Sequence, residues 1–266
     1  MRVRARPTRI LRRVLSALLI AAGLLLVGLA PVAAPLHAPA AAADAVRDRQ
    51  YWLDEYGIRE AWSVTRGEGV VIAILDSGVD AQHPDLAGAV IGGTDVSGRG
   101  NQTGTLPLGP SGRTHGTMVA SLAAGRGSSP TSGVIGSAPA ASILSISLAF
   151  GPEERSGDDQ VAEGIRWAVD NGADIISLSL TRNQVDWPES WDAAFLHAEQ
   201  NDVVVIAAAG NRGAGTEQVS APATIPGVLT VGGVDRAGRA SSAASSQGIT
   251  IGVMAPSENL VGAVPG

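Results

Sequence analysis

The chain has 266 residues, 45% of them hydrophobic and 34 of them glycine, enough for one large domain with a substantial core and many tight turns. Six of its 19 basic residues, all Arg, lie in the first 13 positions and no acid precedes Asp44, so the remainder sets 13 basic against 25 acidic groups and has little to offer nucleic acid or an anionic membrane surface. The absence of Cys excludes disulfides, thiolate nucleophiles and thiolate metal sites.

The first segment, "MRVRARPTRILRR", is cationic; residues 14–30 follow as a 17-residue apolar run, and "APAAAADA" supplies small residues suited to cleavage near Ala43 or Ala45. This pattern predicts an export signal over residues 1–43 and a secreted or extracytoplasmic protein. The apolar run is at the short limit for a spanning helix, so an uncleaved membrane anchor is the alternative. From residue 44 onward strand and helix signals alternate without a repeat. Strands are expected at 70–75, 142–148, 174–180, 203–208, 228–232 and 249–254. In "DDQVAEGIRWAVDNG" Val161, Ile165, Ala168 and Val169 share one helical face, with Asp158 or Asp159 as N-cap and Gly172 as the stop. In "WPESWDAAFLHAEQN" Pro188 opens a helix whose Trp191, Phe195 and Ala198 face the core. Strands separated by single helices imply right-handed crossovers, hence a doubly wound α/β fold: a mostly parallel sheet with helices on both faces.

Three stretches carry candidate chemistry. "VVIAILDSGVD" ends an apolar strand in Asp76 and turns on Ser77-Gly78, and ligands of such sheets gather at the strands' carboxyl ends. "GRTHGTMVASLAAG" puts His115 ahead of a small-residue helix, where the dipole favours a neutral, proton-accepting imidazole; Gly116 allows close backbone approach, and Met118, Val119 and Leu122 are available for packing. "VVVIAAAGNRG" ends a buried strand in Gly210-Asn211. Taken singly, Asp76 also suits a nucleotide site, His115 a capping or core role, and Gly210-Asn211 an ordinary strand-end turn.

Together, an acid after "VVIAIL", "HGT" 39 residues on and an Asn after "VVVIAAAG" 96 residues later resemble the subtilisin-like serine peptidases, or subtilases. The resemblance runs roughly from Gln50 to Gly266 and includes "HPDL", "IGSAPAASILSI" and "PATIPGVLTVGGVD". It implies a serine endopeptidase in which Asp76 orients and stabilises His115, His115 acts as general base, and Asn211 donates its amide to the oxyanion. It also implies a polypeptide substrate bound as an extended strand between Ser179-Leu180-Thr181 and an edge near Leu148 to Gly151, with a primary pocket floored by Ala208, Ala209 and Gly210. The family often has glycine where Thr181 stands, which implies tighter approach here.

The sequence departs from the family pattern in three places. No Gly-Thr-Ser-x-Ala motif occurs in the 55 residues after Asn211, so the nucleophilic serine is expected beyond Gly266 and the domain over 44–266 is expected to be incomplete. Ser245, Ser246 and Ser257 are not expected to meet His115. The interval between Ala43 and Gln50 leaves no room for a folded propeptide, an arrangement similar to the mycosin-type peptidases; these usually carry cysteines and a C-terminal anchor, so a membrane tether through a missing C-terminal segment is a further alternative. Asp85 in "HPDL" matches a position that ligates calcium in several relatives, but the loop "GRGSSPTSGVIG" lacks the family's Asn; the expectation is no metal and no cofactor, with calcium as the alternative. Two other functions stay open. One is a non-catalytic peptide-binding relative. The other is a nucleotide-binding domain, against which stands the absence of G-x-G-x-x-G after the first strand and of any Walker A sequence.

Overall fold

Runs of aliphatic and β-branched residues become strands, and their alternation decides which helix each face meets. The structure, a computed structural model, describes residues 44–109, 114–150, 156–215 and 217–266; the expected export signal lies outside them. The strands are β1 (Val71–Asp76), β2 (Val90–Asp95), β3 (Ser142–Ser147), β4 (Ile175–Leu178), β5 (Val204–Ala208), β6 (Leu229–Val234) and β7 (Ile251–Pro256). They form one sheet ordered β2-β3-β1-β4-β5-β6-β7, with each neighbouring pair parallel. Three short helices, α1 (Ala45–Asp48), α2 (Trp52–Glu55) and α3 (Ile58–Ala61), precede the sheet, and three longer ones, α4 (His115–Ala124), α5 (Gly157–Asp170) and α6 (Glu189–Gln200), are threaded between its strands.

β1 shows the layering. Ala73 and Leu75 pack into one cluster with Val161 and Ile165 of α5 and Trp191 and Phe195 of α6. Ile72 and Ile74 point the other way, into a cluster with Ala120 and Ala124 of α4. The sheet is therefore covered on both faces around β1, as the doubly wound reading requires. A third cluster of Tyr51, Trp52, Leu53 and Ile135 seats the N-terminal helices. α5 lies close on the sheet because Gly164 has no side chain: a Cβ there would stand 3.1 Å from both Ile146 Cγ2 and Leu75 Cδ2.

The expected strands are found, with no end shifted by more than two residues. At 174–180, β4 stops at Leu178 and Ser179, Leu180 and Thr181 leave the ladder. β2 has no counterpart among the expected strands. Its sequence "VIGGTD" holds two glycines and no alternation, it sits at the sheet edge, and its register shifts between Val90 and Gly92. Gly93 is required there, since a Cβ would fall 2.0 Å from the Ser145 carbonyl oxygen. The start of α5 also corrects the expectation. Ser156, not an aspartate, is the N-cap, its Oγ accepting the Asp159 N–H at 3.4 Å, and Asp158 and Asp159 fall in the first turn, where the helix dipole favours them. α6 opens after Pro188 as expected, with Trp191, Phe195 and Ala198 buried.

Trp191 is 1% exposed, so Trp191→Ala lowers unfolding free energy by about 3–5 kcal/mol in urea titrations. Leu196→Ala, on the exposed side of α6, changes it by less than about 0.5 kcal/mol.

Candidate active site

β1 runs toward β2 by one connection, while β4 continues to the opposite side of the sheet, so a crevice opens between their carboxyl ends. Asp76 ends β1 there. Its carboxylate is buried, and burial of a charge requires partners. The Ser77 N–H donates to Oδ1 at 2.7 Å, and Oδ2 lies 2.7 Å from His115 Nδ1.

The two sequence motifs interlock at this point. Gly78 takes φ +91°, a left-handed conformation that turns the chain out of β1. α4 then sits directly on that turn: a Cβ on Gly116 would stand 2.3 Å from the Gly78 carbonyl oxygen. The Gly116 N–H donates to Ser77 Oγ at 3.2 Å, and Thr117 Oγ1 accepts the Asp80 N–H at 2.9 Å. In "HGT", then, the histidine reaches the acid, the glycine permits the approach and the threonine fastens the turn.

The hydrogen bond to Asp76 raises the His115 pKa above its ordinary value, partial burial opposes this, and the carboxylate charge adds to the rise. The carboxylate 2.7 Å away therefore acts against the helix N-terminus, whose dipole favours the neutral imidazole. With its side chain 51% exposed, His115 can present its other nitrogen to an incoming group.

A groove of about 640 Å³ runs from Asp76 and His115 along Leu148, Ser179, Leu180 and Thr181. Phe150, Val161 and Trp191 add to its apolar wall. Among the described residues, Ser179, Leu180 and Thr181 make no backbone hydrogen bond, which leaves their peptide groups available to an added strand. On the other side the Gln160 amide clamps the Ala149 peptide, accepting its N–H at 2.9 Å and donating to its carbonyl at 2.7 Å, and thereby sets Leu148 and Phe150. Gly151 lies outside the described residues. Arg182 also lines the groove; it donates two hydrogen bonds to the Asp158 carboxylate at 2.9 and 3.0 Å and lies 5.7 Å from the Trp191 ring.

A second cavity, of about 450 Å³, adjoins on the other side of His115 and is also lined by Ser179, Ala208, Asn211, Gly233 and Ser257. Asn211 follows β5 and begins a short 3₁₀ turn, with its side chain exposed and not used as a cap. Ala209 and Gly210 are not brought to either cavity: Ala209 is buried in the core with its N–H on Val231 O, and Gly210 accepts the Ser246 N–H through its carbonyl. Ser245 Oγ donates to the Ser246 carbonyl and Ser257 Oγ to that of Val234, so neither hydroxyl is held by His115.

The subtilase family profile matches residues 67–264. The chain belongs to this family. It is 37% identical over 214 residues to the major intracellular serine protease of Bacillus subtilis, covering 77% of this chain and 64% of that protein. To thermitase of Thermoactinomyces vulgaris it is 36% identical over 211 residues, covering 78% and 70%. Among solved structures, fervidolysin from Fervidobacterium pennivorans matches with a TM-score of 0.68 at 29% identity, over 84% of this chain and 35% of fervidolysin. MycP1 without its N-terminal propeptide matches at 0.65 and 27%, over 80% and 72%. This subtilase chain thus spans less than two thirds of the Bacillus relative's length.

Phe150 lies within the edge expected at Leu148 to Gly151, whereas Val161 and Arg182 were not legible as groove residues, because their segments converge only through the packing of α5. The position of Arg182 directly after Ser179-Leu180-Thr181 was the available signal.

A proton titration of His115 by NMR gives a midpoint above the ordinary value of 6.5, and Asp76→Asn moves it back down. An unchanged midpoint in the variant would show that the Asp76 contact does not set the imidazole's basicity.

Proposed function

We propose that this subtilase is a serine endopeptidase that cleaves extended polypeptides, with His115 as general base, Asp76 as its orienting partner and Asn211 as oxyanion donor. The observation that carries the reading is the 2.7 Å contact between Asp76 Oδ2 and His115 Nδ1 at the mouth of a groove with an open strand edge. With Nδ1 engaged by the carboxylate, the neutral imidazole is held in the tautomer whose Nε2 accepts a proton. A serine hydroxyl reaching that nitrogen loses its proton to it as its oxygen bonds to the peptide carbonyl carbon. The carbonyl oxygen becomes an oxyanion, to which the Asn211 amide donates in this reading, and the imidazolium returns the proton to the departing amine. Water then repeats the sequence on the acyl-enzyme. Ser179 to Thr181 supply backbone pairing, and Leu148, Phe150 and Trp191 favour apolar substrate side chains.

Secretion belongs to the same reading, supported by the cationic segment, the apolar run and the small residues before Asp44. Processing after Ala43 retains Asp44, whose carboxylate caps α1 and accepts the Gly133 N–H at 3.0 Å; processing after Ala45 would remove it. The exported protein is therefore expected to begin at Asp44, which intact mass measurement checks.

The decisive experiment is fluorophosphonate labelling of the full-length gene product, expected to label in a manner that His115→Ala abolishes. Peptide hydrolysis rises with pH through the raised His115 pKa, because the base must be neutral, and Asp76→Asn reduces turnover by roughly 10⁴. Asn211→Ala reduces kcat by about 10²–10³ with little change in KM, the cost of the equivalent loss in subtilisin, a family member. A protein that binds extended peptides but never labels would instead be a non-catalytic peptide-binding relative.

A further inference from the structure

The calcium alternative at Asp85 depends on the oxygen donors around it. Asp85 is buried, its Oδ2 accepts the Val134 N–H at 2.9 Å, and its carbonyl accepts the Arg126 N–H at 2.7 Å. Calcium takes six to eight oxygen ligands, and the remaining oxygens here would have to come from the loop at 126–137. Those carbonyls are already engaged by a cation. Arg47 Nε donates to Gly133 O at 2.9 Å, Nη2 to Ser132 O at 2.8 Å and Nη1 to Pro130 O at 3.4 Å. The loop is shaped to this group. Gly127 and Gly133 both have positive φ, a Cβ on Gly127 would stand 2.4 Å from Arg47 Nη2, and one on Gly133 would stand 1.9 Å from Asp85 Oδ1. Burial and the charge of Arg59 lower the Arg47 pKa from its ordinary value, and the Asp44 and Asp85 carboxylates act in the opposite sense, favouring its charge.

The neighbouring residues extend the contact. Asp44 Oδ2 accepts the Gly133 N–H, and the buried Gln50 side chain accepts the Ile135 N–H at 3.0 Å and donates to the Ile135 carbonyl at 2.8 Å. Asp44, Arg47 and Gln50 recur every three residues, so one side of the α1 segment reads the loop's backbone from 130 to 135.

We propose that the Arg47 guanidinium is the resident cation of this carbonyl cradle, and that the N-terminal segment fastens the 126–137 loop without a divalent ion. A planar group with five donors suits the cradle, since it meets several carbonyls at once, carries its charge at every working pH and cannot be removed by a chelator. The loop leads directly from α4 to β3, so the fastening also holds the far end of the helix that carries His115.

The test is thermal unfolding and calcium titration of the chain. Its Tm is the same in calcium chloride and in excess EDTA, and titration calorimetry shows no calcium binding. Arg47→Ala lowers Tm by about 4–8 °C, and proteinase K cleaves within 126–137 about tenfold faster. Arg49→Ala, on the exposed end of the same helix, leaves both unchanged. Arg47→Lys gives a smaller loss than Arg47→Ala, since an ammonium keeps the charge without the fork, and stands in should the alanine variant fail to fold. A calcium-dependent rise in Tm of the unaltered chain would overturn the proposal, as would an Arg47→Ala variant indistinguishable from Arg49→Ala.

Discussion

The hydrogen bond between Asp76 and His115 joins two elements 39 residues apart in sequence, and the surrounding structure is arranged to let it form. An imidazole on the first turn of a helix reaches a strand-end carboxylate only if the helix N-terminus lies against the turn that follows the strand. Two backbones must then nearly touch, which is why Gly116 lies against the Gly78 backbone with no room for a Cβ of its own. The bond's worth lies in orientation more than in stability. His115 is half exposed and water competes for its charge, so the net contribution to folding is small. For Asp76 the balance differs: its buried carboxylate would be costly without the Ser77 N–H and the imidazole.

Sheet topology places the groove beside this pair. β3 flanks β1 on one side and β4 on the other, in registers that align Asp76 with Ser147 and Leu75 with Leu178. All three strands therefore release their chains at one level. The segment after β4 remains unpaired, the segment after β3 is held by Gln160, and the space between them becomes the groove. Its apolar wall is drawn from the same α5–α6 core that stabilises the sheet, so packing at Val161 and Trp191 is shared between fold and site. Arg182, paired bidentately with Asp158 beside this wall, forms a charge pair partly screened from water, a geometry that holds both side chains in place.

The sequence made the sheet legible where strands are buried on both faces, because uninterrupted aliphatic runs such as "VIAIL" have few other fates. It left β2 illegible, since an edge strand with two glycines has neither composition nor alternation to announce it. Asp76 and His115 were legible from their motifs, and Asn211 from its place after β5, but the contact that makes a site of the first two depends on long-range packing. The dipole argument for His115 weighed the residue's own helix, whereas the carboxylate across the gap raises its pKa. Arg47 was passed over for a related reason. Between an expected export signal and a globular domain, a seven-residue interval reads as a spacer, and the three-residue recurrence of Asp44, Arg47 and Gln50 acquires meaning only once the 126–137 loop is seen folded against it.

The dyad places opposed demands on pH. His115 has a folded pKa raised above 6.5, so its contact with Asp76 adds stability that is fully present below the unfolded value and is lost as pH rises through the folded one. A general base works only when neutral, so the reaction proposed for this site begins where that contribution fades. A fold that relied on the charged dyad for its cohesion would loosen as it became active. Here the elements that carry the two residues are fastened by groups whose charge and hydrogen bonds do not change over that interval: the Thr117 hydroxyl beneath the β1 turn, the glycine contact between turn and helix, and the Arg47 guanidinium on the loop that follows α4. The imidazole is left free to titrate because little besides its own orientation depends on its charge.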